Sequence, residues 1–201
     1  MSQKLIAECL GTFALSLAVL SSVSVLDSVI ITPILAGLVL ALFVYSIGSI
    51  SGCHINPAVT LSLWSIGKIN TKESVSYIAA QCVGAAVAVL VVMYTIGSGN
   101  FGFASESLGV FIAELIGAAF FTFGIAAVVM GRVQDTASGV LIGGSLLFGI
   151  ILAVHLGSAG ILNPAVAIAL GSVSFSYVFG SIVGGIIGMQ TYRCLSCEKN
   201  S

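Results

Sequence analysis

The chain has 201 residues, 58% hydrophobic and 6% charged, with a mean hydropathy of +1.20. Soluble domains carry about 25% charged residues, and six Lys+Arg with seven Asp+Glu cannot solvate the outside of a 20.4 kDa globule. An ordinary soluble enzyme, a disordered chain and a nucleic-acid binder are excluded, the last because no basic surface exists to neutralise phosphates; a net charge of −1 says nothing about partners, and a polytopic membrane protein remains.

A spanning helix needs about 20 apolar residues. Six stretches qualify in chain order: 5–26, 29–50, 75–96, 108–130, 140–156 and 173–195, the fifth being short. The breaks, at Asp27-Ser28 and over 67–74, 97–107 and 131–138, hold glycine or polar residues as turns do. Lys4 before the first span imitates a signal peptide, but Glu8 inside the apolar run argues against removal. Six crossings put Lys4, Lys68, Lys72, Arg132, Arg193 and Lys199 on one side and leave Asp27 and Glu106 on the other. The positive-inside rule then makes both termini cytoplasmic.

The five cysteines, Cys9, Cys53, Cys82, Cys194 and Cys197, form no secreted disulfide framework. Cys194 and Cys197 make one C-x-x-C, too few ligands for a zinc site, and read as bystander thiols. No nucleophile–base pair, metal constellation or phosphate-binding glycine loop stands out, so neither an enzyme nor a bound cofactor or metal is expected.

The chain duplicates itself. Ile6-Ala7-Glu8 with Gly11 recurs as Ile112-Ala113-Glu114 with Gly117, an offset of 106. Asn56-Pro57-Ala58-Val59 recurs as Asn163-Pro164-Ala165-Val166, an offset of 107. Tyr77 with Val83-Gly84 recurs as Tyr177 with Val183-Gly184, an offset of 100. One transmembrane domain over 1–201 is expected, with repeats at about 1–98 and 107–196. Three spans in each repeat force opposite orientations, and therefore an all-α protein of two inverted repeats.

The apolar segments after each Asn-Pro-Ala, 57–65 and 164–171, are too short to cross. Nine helical residues reach only about 13 Å of a core about 30 Å thick. Asn is a good N-cap and Pro suits the first helical position, so each segment reads as a half-helix beginning in mid-membrane. Such backbone is tolerated only against protein or a water-filled cavity. Each helix start carries about half a positive charge, which repels cations and protons. Asn56 and Asn163 offer amide N–H groups to a passing oxygen. The carbonyls of Gly52, Cys53, His54 and Ile55, and of Gly160, Ile161 and Leu162, would form an acceptor ladder suited to a neutral hydrogen-bonding solute.

At these residues the chain resembles the aquaporin, or major intrinsic protein, family. Ser51-Gly52-Cys53-His54-Ile55-Asn56-Pro57-Ala58-Val59-Thr60 matches its first Asn-Pro-Ala segment almost throughout, and Ala7-Glu8 with Gly11-Thr12 matches its first-helix signature. The resemblance covers essentially the whole chain. It implies six spanning helices, two re-entrant half-helices, a pore in each subunit and a homotetramer. It also locates a four-residue constriction, at Ala36, Gly160, Val166 and either His155 or Ile151. Members usually carry arginine where Val166 stands and an aromatic where Ala36 stands. The expected opening is therefore wider and more apolar, passing water and small neutral solutes such as glycerol, urea, ammonia or hydrogen peroxide.

Each sharp reading has a plainer rival. Glu8 and Glu114 could relay protons; their matched places favour bonding to the re-entrant backbone instead. His54 could titrate near neutrality, but reads first as a loop-packing residue with its carbonyl on the pore. Gly84, Ala85, Ala86, Ala88, Gly180, Gly184, Gly185 and Gly188 could form a dimer face and read first as close contacts within one subunit. Trp64 and Tyr94 read as interfacial anchors, and Lys68 and Lys72 beside Glu73 as a solvated face. Other functions weighed against a passive channel are a non-conducting structural or adhesive membrane protein of this fold and, third, a gradient-driven transporter. A bacterial-type inner (cell) membrane fits the compact loops.

Overall fold

A computed structural model of the chain describes residues 1–26, 30–97 and 106–196. These residues form eight helices: α1 (Ser2–Leu26), α2 (Ile31–Ser51), α3 (Pro57–Ser65), α4 (Thr71–Thr95), α5 (Leu108–Val129), α6 (Asp135–His155), α7 (Pro164–Ala169) and α8 (Phe175–Ser196). Without water to bond, a backbone in hydrocarbon must satisfy itself, and helices do so segment by segment. Helices α1, α2, α4, α5 and α6 are long and apolar enough to cross a bilayer. Helix α8 has 22 residues, but Gly180, Ser181, Gly184, Gly185, Gly188 and Gln190 dilute its apolarity. It packs on α5 as α4 packs on α1, and it completes the set of six long helices.

Helix ends differ from the expected spans where polar residues extend a helix beyond the apolar run. Helix α4 starts four residues before the expected 75, because Asn70 Oδ1 accepts from Glu73 N at 2.9 Å and caps it. Helix α6 starts at Asp135 rather than 140; Tyr45 on α2 donates its hydroxyl to Thr136 O at 2.8 Å and accepts from Val140 N at 3.2 Å. Hydropathy marks the hydrocarbon layer, whereas capping marks the helix. Helix α7 stops at Ala169 rather than 171, with Gly171 at φ +63°. Helix α8 starts at Phe175 rather than 173, where Glu106 Oε1 accepts from its backbone N–H at 2.6 Å. Asp27, Ser28, Val29, Cys197 and Lys199 lie outside the described residues.

Helices α1 to α4 and α5 to α8 repeat one order: long, long, short, long. Within each set the first helix packs on the second and fourth, and α2 against α6 joins the sets. The short helices cross over: α3 packs on α8, and α7 on α4 and α1. Small residues permit the close crossings. A Cβ on Gly84 would strike the Cys9 carbonyl, one on Gly184 that of Leu115, and one on Gly188 that of Ala119. Gly117 and Gly149 likewise face each other across α5 and α6, and Gly37 and Gly143 across α2 and α6. The glycines of α4 and α8 are thus used inside one subunit.

The two ends of the bundle are tied differently. At one, Lys4 pairs with Glu73 at 2.8 Å, and Arg132 Nη2 donates to Ser196 O at 2.9 Å. At the other, Ser176 Oγ donates to Ser107 O at 3.1 Å beside the Glu106 contact.

Gly184→Ala should cost about 1–3 kcal/mol through overpacking against α5. Gly48→Ala, whose Cβ would meet nothing within 4 Å, should instead be neutral or stabilising by about 0.5–1 kcal/mol. Thermal unfolding of both variants in detergent checks the contrast.

Candidate functional site

The short helices α3 and α7 begin at two asparagines. Asn56 (φ −160°) and Asn163 (φ −149°) are extended N-caps, each followed by proline at the first helical position. Asn56 Oδ1 accepts from Ala58 N at 2.8 Å; Asn163 Oδ1 accepts from Ala165 N at 3.0 Å and Val166 N at 3.4 Å. The amide nitrogens reach across the repeat. Asn56 Nδ2 donates to Leu162 O at 2.9 Å, and Asn163 Nδ2 donates to Ile55 O at 3.1 Å. Each cap therefore holds its own helix with its oxygen and the opposite loop with its nitrogen. Pro57, Ala58, Pro164 and Ala165 are all buried at this junction.

The loops leading into the caps are strained and clamped. Cys53 (φ 50°), Ile55 (φ 40°) and Leu162 (φ 50°) sit in the left-handed region, as do Gly52 (φ 90°) and Gly160 (φ 67°). A β-branched residue there is an outlier, at about 1–3 kcal/mol. The fully buried Glu8 supplies the compensating bonds. Its carboxylate accepts from Ser51 Oγ at 2.7 Å, His54 N at 2.9 Å, Ile55 N at 2.7 Å and Gln81 Nε2 at 2.7 Å. Glu114, also fully buried, accepts from Ser158 Oγ, from Ile161 N at 2.9 Å and from Leu162 N at 2.7 Å. The two carboxylates thus bond re-entrant backbone in matched fashion. Ser158 was not singled out in the sequence, and Ser51 only as the first residue of the matched segment, although they share the 107-residue offset of the asparagines. Gln81 could have been found as a polar residue inside an apolar span.

His54 lies in the first loop only. Its Nδ1 is 3.2 Å from Thr60 Oγ1, its ring meets Tyr77 edge-on at 5.0 Å, and Tyr77 donates its hydroxyl to Ser51 O at 2.8 Å.

A cavity of about 770 Å³ descends from the end bearing Val23, Thr32 and Gly157 to both asparagines. Its walls are mostly apolar. Ala36, Gly160 and Val166 line it together. Neither His155 nor Ile151 is among the lining residues; both are exposed, with His155 Nδ1 turned back to Ile151 O at 2.8 Å. Helix α6 lines the cavity with Leu146, Ile150 and Val154. Residues four apart share a helix face, and a one-residue shift turns a side chain about 100° away. Ile150 and Val154 also abut Gly160, where a Cβ would lie 3.0 Å from a methyl of each.

Glu114→Ala would strand two buried backbone N–H groups at about 1–3 kcal/mol each. Hydrogen–deuterium exchange should speed up at Ile161 and Leu162 while His54 and Ile55 stay protected, and thermal stability should fall. Glu8→Ala should produce the reverse pattern.

Comparison with known proteins agrees with this arrangement. The family model for Major intrinsic protein matches residues 1–192. Aquaporin AqpM of Methanothermobacter marburgensis is 33% identical over 189 aligned residues, covering 81% of this chain and 75% of that one. Aquaporin Z of Photorhabdus laumondii is 32% identical over an alignment 233 positions long, covering 99% of this chain and 100% of its own. The X-ray structure of the aquaglyceroporin from Plasmodium falciparum shares the fold, with a TM-score of 0.68 at 22% identity, covering 95% of this chain and 93% of that one. With its paired, cross-bonded caps and a family match over nearly its full length, the chain belongs to the major intrinsic protein family and is an aquaporin-type membrane channel, not an enzyme.

Proposed function

We propose that the chain is a passive pore for water and for small neutral solutes of the class of glycerol, urea, ammonia and hydrogen peroxide, driven by osmotic or solute gradients. The observation that carries this reading is the cavity of about 770 Å³ ending on two asparagine amides. Each Nδ2 carries two hydrogens and spends one on the opposite loop. The second is the donor offered to a passing oxygen at the midplane. Carbonyls of Gly52, Cys53 and His54 and of Gly160 and Ile161 supply acceptors along the way, those of Ile55 and Leu162 being held by the asparagine amides. The two helix starts oppose cations there.

Selectivity rests on Ala36, Gly160 and Val166, with Ile150 and Val154 completing the ring. None of these side chains offers a donor or a charge, so a larger solute meets neither a fixed cation nor a bulky ring. Glu8 and Glu114 are positioning groups for the loops. We infer one transmembrane domain over 1–201 with repeats near 1–98 and 107–196, both termini cytoplasmic by the placement of Lys and Arg, assembly as a homotetramer, and residence in the cell membrane.

Stopped-flow permeability on proteoliposomes tests the function. Water, glycerol and urea should all cross faster than through bare lipid, without a proton or sodium gradient. Flux no greater than lipid's would make the protein structural; dependence on an ion gradient would make it a transporter. Water flux with rejection of every larger solute would overturn the wide constriction.

Val166→Arg restores a cation and narrows the ring. Glycerol and urea permeability should fall about tenfold relative to water, a barrier change of roughly 1.4 kcal/mol. Val166→Ala should leave the ratio unchanged or raise it, in the same assay.

A further inference from the structure

At the opposite end from the cavity, α3, α5 and α8 finish close together. A groove of about 360 Å³ opens there, lined by Ile66, Lys68, Met130, Arg132, Arg193 and Ser196. Three of its six lining residues are cations and none is an acid. Helix C-termini attract positive side chains, and Arg132 follows that pattern by donating to Ser196 O at 2.9 Å. Lys68 and Arg193 do not: among the described residues their side chains make no hydrogen bond and no ion pair. Glu73, on α4, is taken by Lys4 at 2.8 Å. Among the described residues, the side chains lining this groove therefore present three cations and no acid, an arrangement that favours an anion.

We propose that this groove binds the phosphate of an anionic glycerophospholipid headgroup. Arginine and lysine suit a phosphate, and basic hollows between helices on the cytoplasmic side hold such headgroups. The wall chemistry favours a lipid over free phosphate. Trp64, 46% exposed on α3, donates Nε1 to Thr71 Oγ1 at 3.1 Å, an amphipathic ring of the kind that marks the headgroup level. Ile66 and Met130 form an apolar wall beside the cations, and Leu195 is 72% exposed on α8. The proposal rests on the membrane placement of the chain and is independent of which solutes permeate.

Trp64 is the only tryptophan in the sequence, which makes it a reporter four residues from Lys68. The whole protein is placed in bilayers containing phosphatidylglycerol or phosphatidylcholine with brominated acyl chains, and quenching of Trp64 is titrated. The anionic lipid should be preferred about tenfold, and Lys68→Gln with Arg193→Gln should remove most of that preference. Lys68→Arg with Arg193→Lys should retain it, as should Lys72→Gln, a cation of the same end outside the groove. Water permeability should be unchanged throughout, which separates this site from the pore. Equal quenching by both lipids would overturn the proposal. An equal loss in Lys72→Gln would assign the preference to diffuse surface charge. Abolition of the preference by excess inorganic phosphate would assign the groove to a small soluble anion.

Discussion

A peptide group in hydrocarbon has no water to turn to, and this chain carries two non-helical stretches, around residues 52–56 and 160–163, in the interior of a membrane bundle. Their amides go to the buried carboxylates Glu8 and Glu114, and the carbonyls of Ile55 and Leu162 go to the asparagine amides of the opposite half. With those groups satisfied, the remaining carbonyls can face a solute. The left-handed conformations at Cys53, Ile55 and Leu162 are held by this bonding. Rigidity of the lining thus comes from two acids and two amides, while the bulk of the apolar residues supply the walls that position them.

The two halves are alike in this scaffold and unlike around it. Serine, acid and paired amides recur, but Gln81, Thr60 and His54 form a polar set found only in the first half, where Gln81 Nε2 also donates to Thr60 Oγ1 at 3.0 Å. Their counterparts by offset are Ser181, Ala167 and Ile161, and Ser181 bonds its own helix at Tyr177 O. Gln81 Oε1 finds no donor among the described residues. Glu8 therefore has one more donor than Glu114, and the first loop is the more heavily tied.

Much of this was legible before any coordinates. Proline after asparagine, at the head of an apolar segment too short to cross, fixes where a half-helix starts; the duplicated glutamates then supply its tether. The clamp role of Ser51 and Ser158 escaped notice because a serine at the edge of a loop has many bland explanations. The α6 lining was less legible. Counting back from Asn163 crosses a connection containing Gly157 and Gly160, both at positive φ, whose path no residue count reveals; the α6 residues lining the cavity are Leu146, Ile150 and Val154. The apolar-run estimate also shortened α4 and α6, since their first turns are polar.

The reciprocal asparagine bonds have a consequence for biogenesis. Asn56 and its acceptor Leu162 are 106 residues apart, so at ordinary translation speeds the first amide exists for about 5–20 s before its partner is made. During that interval α3 has lost nothing of its own cap, yet its loop has neither the second half's amide nor the surface of α8 to rest on. The first half therefore stays unfinished through that interval, and the centre of the protein is completed only when the last quarter of the chain arrives.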